Sequence, residues 1–215
     1  MKKRPFIAFL ITLVLFIFSS LTAYAYNVNV SGGYNSLPYS FRVNTSFSTS
    51  ERTAMSNAAK AWEAAGKGVL ASKSTYTNVM TSYPAFDGYN NVTRISTTQD
   101  YLAQCSWWTS GGKITEADIN FNPSHSWATN PTGNQFDIQT IFTHELGHAL
   151  LHFPEDMDEK MEEQYCNIFA NEVLMPRQTF LQSIGEKRHD IALVELKNLQ
   201  SEFGISVDAL MYKAR

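Results

Sequence analysis

Cysteine is scarce in this chain: its 215 residues include only Cys105 and Cys166. Two cysteines cannot staple a small disulfide scaffold, so the fold must rest on an apolar core. Neither belongs to a Cys-x-x-Cys pair, which excludes the paired-thiolate zinc arrangements. The two could form one bridge or remain small buried thiols, and spacing alone favours neither. A surplus of positive charge is also missing, with 17 Lys and Arg against 20 Asp and Glu. Nucleic acid is therefore excluded as a partner class, because phosphate contacts need a basic face. Internal repeats and low-complexity tracts are absent, which removes the repeat architectures. One long apolar run occurs, Phe6 to Phe18, and it is short for a bilayer span.

That run is the first informative thing present. Lys2, Lys3 and Arg4 precede it and Ala23-Tyr24-Ala25 follows it, the layout of a cleaved signal peptide. The reading is a signal segment over residues 1–25 and one domain over 26–215. Taking 25 from 215 residues leaves 190, enough for one compact domain and short for two. Losing three of the 17 basic residues leaves 14 against 20 acidic ones, a net charge of about −6. The expected location is secreted and extracellular, with no membrane attachment after cleavage. No feature sets the oligomeric state.

The central motif is His144-Glu145-Leu146-Gly147-His148, an HExxH. Residues four apart lie one turn apart on the same helix face. Two imidazoles so placed can grip one zinc ion, and the carboxylate beside the first can reach the attacking water. Ile138, Ile141, Phe142, Leu146, Ala149, Leu150 and Phe153 recur at helical spacing around the motif, and Asp137 suits the N-cap. The helix is expected to run to about Phe153.

Elsewhere the pattern is strand first and helix later. Short strands are expected within Tyr26 to Thr49, with Ser40–Val43 the clearest. A helix follows over Glu51 to Ala65, capped by Ser50 and ended by Gly66, with Ala54, Ala58, Ala61, Trp62 and Ala65 inward. Lys67 to Asn91 reads as strand plus loops. Val92–Ile95 is a strand, and Tyr101–Trp108 and Ile114–Phe121 form a hairpin around Gly111-Gly112. Helices are expected over Asp156–Leu174, Gln178–Ile184 and His189–Phe203, with Gly204 closing the last and Ser206 capping a final turn. The fold class is α+β: a small twisted mixed sheet, an active-site helix and a helical C-terminal part.

From Ala54 to Leu150 the chain resembles matrixin-type metzincin proteases. The likeness is carried by Ala58–Glu63, Tyr101–Gln104, Glu116–Asn122 with Trp127, and Phe136–Leu150. It implies a zincin-like fold in which Tyr101–Cys105 is the substrate-binding edge strand. The pattern then breaks. Leu151 stands where a metzincin has Gly, and Pro154 stands where it has its third His. Beyond that point, Glu163-Gln164-Tyr165-Cys166-Asn167-Ile168-Phe169-Ala170-Asn171-Glu172-Val173-Leu174-Met175-Pro176 resembles the ImmA/IrrE peptidases, with Cys166 in place of an Ala. Phe203 to Leu210 is similar to their ending. Those proteins are typically intracellular regulators, so the signal segment departs from their pattern.

A catalytic zinc needs three protein ligands and an open position. His144 and His148 supply two. Glu163 is the first choice for the third, since Glu-x-x-x-Asn with Asn167 resembles the glutamate-ligand zincins, where Asn167 would orient a ligand His. Asp156 and Glu155 are the alternatives. His152 lies about 12 Å along the helix axis from His144, too far to share a tetrahedral ion. Met175 could pack beneath the zinc as the Met-turn of the metzincin family does, or serve as an ordinary core residue. Tyr165 and His189 are possible oxyanion donors, with nothing to select either. Matrixins also bind calcium through the region matching Asp118 to Trp127, but a dense carboxylate cage is missing there and no calcium is expected.

Together these features predict a secreted zinc endopeptidase with Glu145 as general base, acting on a protein or peptide substrate. Two other readings remain: a regulatory peptidase specific for one partner protein, and a non-catalytic zincin-like binding module.

Overall fold

The computed structural model describes residues 39–65, 75–77, 82–151, 153–154 and 157–214. The signal segment 1–25, the strands expected before Tyr39, and the candidates His152, Glu155 and Asp156 lie outside the described residues. Seven strands and six helices are formed among those described: β1 (Phe41–Asn44), α1 (Thr49–Ala65), β2 (Thr75–Thr77), β3 (Asn90–Thr93), β4 (Ala103–Ser110), β5 (Lys113–Phe121), β6 (Trp127–Ala128), β7 (Phe136–Asp137), α2 (Ile138–Leu150), α3 (Glu159–Leu174), α4 (Arg177–Ile184), α5 (Leu193–Phe203) and α6 (Val207–Lys213). Apart from α1, which follows β1, strands come first and helices later, a mixed α+β order.

Five strands make one sheet in the order β2-β1-β3-β5-β4. All neighbours are parallel except β4 and β5, which form the expected hairpin. Among the described residues β4 is therefore an edge strand, paired with a strand on one side only. Its partner β5 is buried almost throughout, with Ala117, Ile119 and Phe121 facing the core. Two buried carboxylates of β5 hold the loop that precedes β3. Glu116 accepts from the Asp87 and Gly88 amides, and Asp118 from those of Ala85 and Asn91. The same loop brings Tyr83 Oη within 2.8 Å of the Gln104 carbonyl, bracing β4.

Helix α1 begins earlier than its periodicity predicts. Ser48, not Ser50, acts as its cap: Ser48 Oγ accepts from the Glu51 amide, and Glu51 Oε2 accepts from the Ser48 amide at 2.7 Å. This reciprocal capping box satisfies two donors, where an isolated Ser50 would satisfy one. Trp62 is fully buried and donates Nε1–H to the Thr143 carbonyl at 2.9 Å, tying α1 to α2. Helix α5 starts at Leu193, four residues later than expected from His189, and Glu195 closes its first turn on the Ala192 amide.

The apolar interior divides in two. One cluster joins the sheet to α1 and α2; the other gathers Leu174, Met175, Phe180, Ile184, Leu196 and their neighbours from α3 to α6. Met175 belongs to the second cluster and serves the helical core. The C-terminal helices are pinned to the first turn of α2. Gln139 Nε2 donates to the Phe203 carbonyl at 3.4 Å, and Thr140 Oγ1 to the Gly204 carbonyl at 3.2 Å. Gly204 sits at φ 64°, the left-handed cap that ends α5 and turns the chain into α6.

Candidate metal centre

Helix α2 forms where its apolar periodicity predicts it. Asp137 is its N-cap, with Oδ1 accepting from the Thr140 amide at 2.7 Å. Ile138, Phe142, Leu146, Ala149 and Leu150 are buried on the core side. The helix stops at Leu150, short of the expected Phe153, because Leu151 is extended (φ −83°, ψ 146°). The missing metzincin Gly thus does not prolong the helix: a β-branch-free Leu leaves it in extended backbone with no need of positive φ.

His144 and His148 come together on one face, with their Nε2 atoms 3.2 Å apart. Helix α3 supplies the rest. Asp158 caps it, accepting from the Met161 amide, and the first turn then delivers Glu162 and Glu163. Glu163 Oε2 lies 3.1 Å from His144 Nε2, and its Oε1 lies 3.2 Å from His148 Nε2. One nitrogen from each of His144 and His148 and one oxygen of Glu163 all fall within 4.8 Å of one another.

These donors fit zinc. A tetrahedral ion bonded at about 2.0–2.1 Å sets neighbouring ligand atoms roughly 3.3 Å apart. The two Nε2 atoms, 3.2 Å apart, are close to one edge of such a cage, and each has one of the two Glu163 oxygens at 3.1 to 3.2 Å. Two nitrogens and one carboxylate are the donor set of a catalytic site with an open fourth position. Glu163, the sequence's first choice, is thus brought to the histidines.

Sequence reasoning missed Glu162. Its Oε1 stands 2.9 Å from His148 Nδ1, the far side of the ring from Glu163. A carboxylate there fixes ring orientation and raises the basicity of the metal-facing nitrogen. Asn167, expected in that role, instead donates Nδ2–H to the Glu163 carbonyl of its own helix at 2.9 Å. The acidic run around Glu162 reads as a solvated face, which hid it. Its place one residue before Glu163 was the available signal.

Cys105 and Cys166 are both buried free thiols. Cys166 occupies the contact between α3 and α2. A Cβ built on Gly147 would meet Cys166 Sγ at 3.0 Å, so the absent side chain of the motif's Gly is what admits the sulfur. On α3, Met161, Tyr165 and Ile168 face solvent, while Cys166, Ala170 and Val173 point inward.

Electrostatics follow from burial and contact. Burial pushes the Glu145 carboxyl up, against the pull of His144 and His148. Contact with His144, then His148, holds Glu163 well below the usual carboxylate range. For His148, burial works downward, but Cys166, Glu163 and Glu162 outweigh it and push the ring up to about 11. The acids that raise it would also favour a metal ion at the ring, in competition with the proton.

The centre opens on a cleft of about 580 Å³ whose far wall is the edge-strand segment Tyr101–Cys105. Glu145 lines it while only 5 % exposed. Trp107, not singled out by sequence, stacks on His148 with centroids 6.2 Å apart and planes 9° off parallel. Period-2 alternation along β4 puts Trp107 on the face of Ala103 and Cys105, a signal available in the sequence. Tyr165 and His189 are not brought in: Tyr165 is exposed on α3, and His189 lines a separate cavity with Arg177 and Phe180.

No curated protein matches the chain. Residues 134–215 match the family of the IrrE N-terminal-like domain, a peptidase family. The match begins in the loop before α2 and takes in every helix from there on, whereas the matrixin likeness over Ala54–Leu150 gains no support from it. The matched stretch, 82 of the 215 residues, holds His144, Glu145, His148 and Glu163 and is similar to a zincin-like peptidase domain.

Proposed function

We propose that the protein is an exported zinc-dependent endopeptidase. The observation that carries this reading is the convergence of His144, His148 and Glu163 at the head of a cleft that also holds the buried Glu145. Export rests on the Lys2–Arg4, Phe6–Phe18 and Ala23–Ala25 layout of the N-terminus.

His144 Nε2, His148 Nε2 and the Glu163 carboxylate would hold the ion. Bound there, zinc would polarise the scissile carbonyl and acidify the attacking water. Glu145 accepts the proton that the water loses on attack and returns it to the leaving amine, so the C–N bond breaks with no charge left over. Its raised pKa suits both halves of that task. Glu162 keeps His148 turned toward the centre. The outer edge of β4, which no strand pairs among the described residues, would take an extended substrate as a further strand.

The test is cleavage of a denatured protein by the metal-loaded protein without its first 25 residues. Activity should vanish on chelation and return with zinc. Glu145→Gln should lower it about 100-fold or more while the metal content stays at wild-type level. Zinc retained with no cleavage by either protein would overturn the reading in favour of a binding module.

A further inference from the structure

A second cavity, of about 630 Å³, lies between the loop around residues 131–137 and helices α5 and α6. It adjoins the first at one residue. Ile141, one turn before His144 on α2, lines both. Two of the large apolar side chains that the chain exposes line it, Phe136 from β7 and Leu193 from α5, at 36 % and 58 % exposure. Apolar groups left this open beside a cleft mark a binding surface more than a packing fault. Asp137, 4 % exposed, also lines it and keeps Oδ2 buried with no hydrogen-bond partner among the described residues. Apolar walls with the open Phe136 and Leu193 suit hydrocarbon carried by an extended chain.

We propose that this groove is the outer part of the substrate path and takes an extended, apolar flank of the same polypeptide that threads the cleft. The inference rests on the peptidase reading and adds a substrate class to it: long chains with apolar residues beyond the scissile region, in preference to short peptides. Adjacency at Ile141 assigns the groove to that polypeptide. Both cavities are lined by Ile141 of α2, so a chain leaving the cleft toward the start of α2 would meet the groove there.

The test uses three quenched peptides with one common core that fills only the cleft: the bare core, a core with a leucine-rich tail, and a core with a serine-rich tail. Each is given to the zinc-loaded wild type and to Leu193→Glu, an exposed position that the core does not need. Wild type should cut the leucine-tailed peptide with a kcat/KM about tenfold above the other two, mainly through KM, as expected for one buried leucine-sized contact. Leu193→Glu should lose that preference and cut the bare core at the wild-type rate. Equal rates on both tails in wild type, or a preference that survives Leu193→Glu, would overturn the proposal. Fluorescence anisotropy of the same peptides on Glu145→Gln reads the groove without turnover. If nothing is cleaved but leucine-tail binding still depends on Leu193, the groove stands and the peptidase reading falls. A wild-type dimer that Leu193→Glu splits in sedimentation would give this face to a second copy of the chain and overturn the proposal.

Discussion

Glu162 Oε1 lies 2.9 Å from His148 Nδ1, on the side of the ring turned away from Glu163. The contact freezes the imidazole with its other nitrogen facing the centre. Glu162→Ala should therefore weaken zinc binding 10- to 100-fold, about the usual cost of removing such a partner. Competition against a chelator of known affinity measures this. Glu162→Gln, which keeps an oxygen acceptor at the same reach, should recover part of the loss. An unchanged affinity in Glu162→Ala would remove the orienting role.

The two carboxylates of the site should separate cleanly by metal content. Glu163→Ala removes one of three protein donors, so the purified protein should carry well under one zinc per chain. Glu145→Ala removes none and should keep its metal. Elemental analysis of both variants decides the matter, and full zinc in Glu163→Ala would send the search for the third donor elsewhere.

Gly147 and Cys166 should be coupled. An Ala at 147 gains helix propensity of up to about 1 kcal/mol but drives its Cβ to 3.0 Å from Cys166 Sγ in a buried contact. Gly147→Ala should destabilise by about 1–2 kcal/mol in urea unfolding, since overpacking of this kind costs more than propensity returns. Cys166→Ala makes room, so the double variant should be more stable than the sum of the two single changes by about 1 kcal/mol. Strict additivity would mean that the helices simply move apart.

Asp137 gives a pH signature. Burial, opposed by the Thr140 and Gln139 amides, pushes its carboxyl up from 3.8 to about 6. The folded state therefore binds this proton more tightly than the unfolded one. Stability contributed by the group is full below pH ~4 and is lost as pH rises through ~6. Asn at 137 preserves a capping oxygen and has no proton to lose. Relative to Asp137→Asn, the wild type should lose on the order of 2 kcal/mol between pH 4 and pH 7. Urea titrations of the metal-free proteins at both pH values measure it. Parallel pH curves for the two proteins would show that Asp137 titrates normally.

The site was legible where a short-range rule applied. The i, i+4 spacing of His144 and His148 fixes their mutual geometry as soon as the helix is granted, and Asp137 followed from cap preference. Glu163 came from its own spacing to Asn167, although the spacing proved to serve a bond within one helix. Glu162 was illegible for a physical reason. Sequence shows two adjacent acids, while their roles depend on how α3 rolls against α2, a tertiary matter set by Cys166 and Gly147. Trp107 depended likewise on which face of β4 meets α2. In the fold, the hairpin was read from Gly111-Gly112, whereas the order of the five sheet strands is a long-range property that no local pattern encodes. Helix starts slipped by two to four residues at α1, α3 and α5, where caps at Ser48, Asp158 and Ala192 overrode the apolar period.

Neighbouring carboxylates on α3 serve opposite sides of the His148 ring, and that has a mechanical result. An α-helix turns about 100° per residue, so no roll of α3 can improve one of these contacts without spoiling the other. Seating of the helix and filling of the site then become a single cooperative event. Stripping the ion should loosen α3 as a body, and with it the hydrophobic cluster that α3 shares with the last three helices.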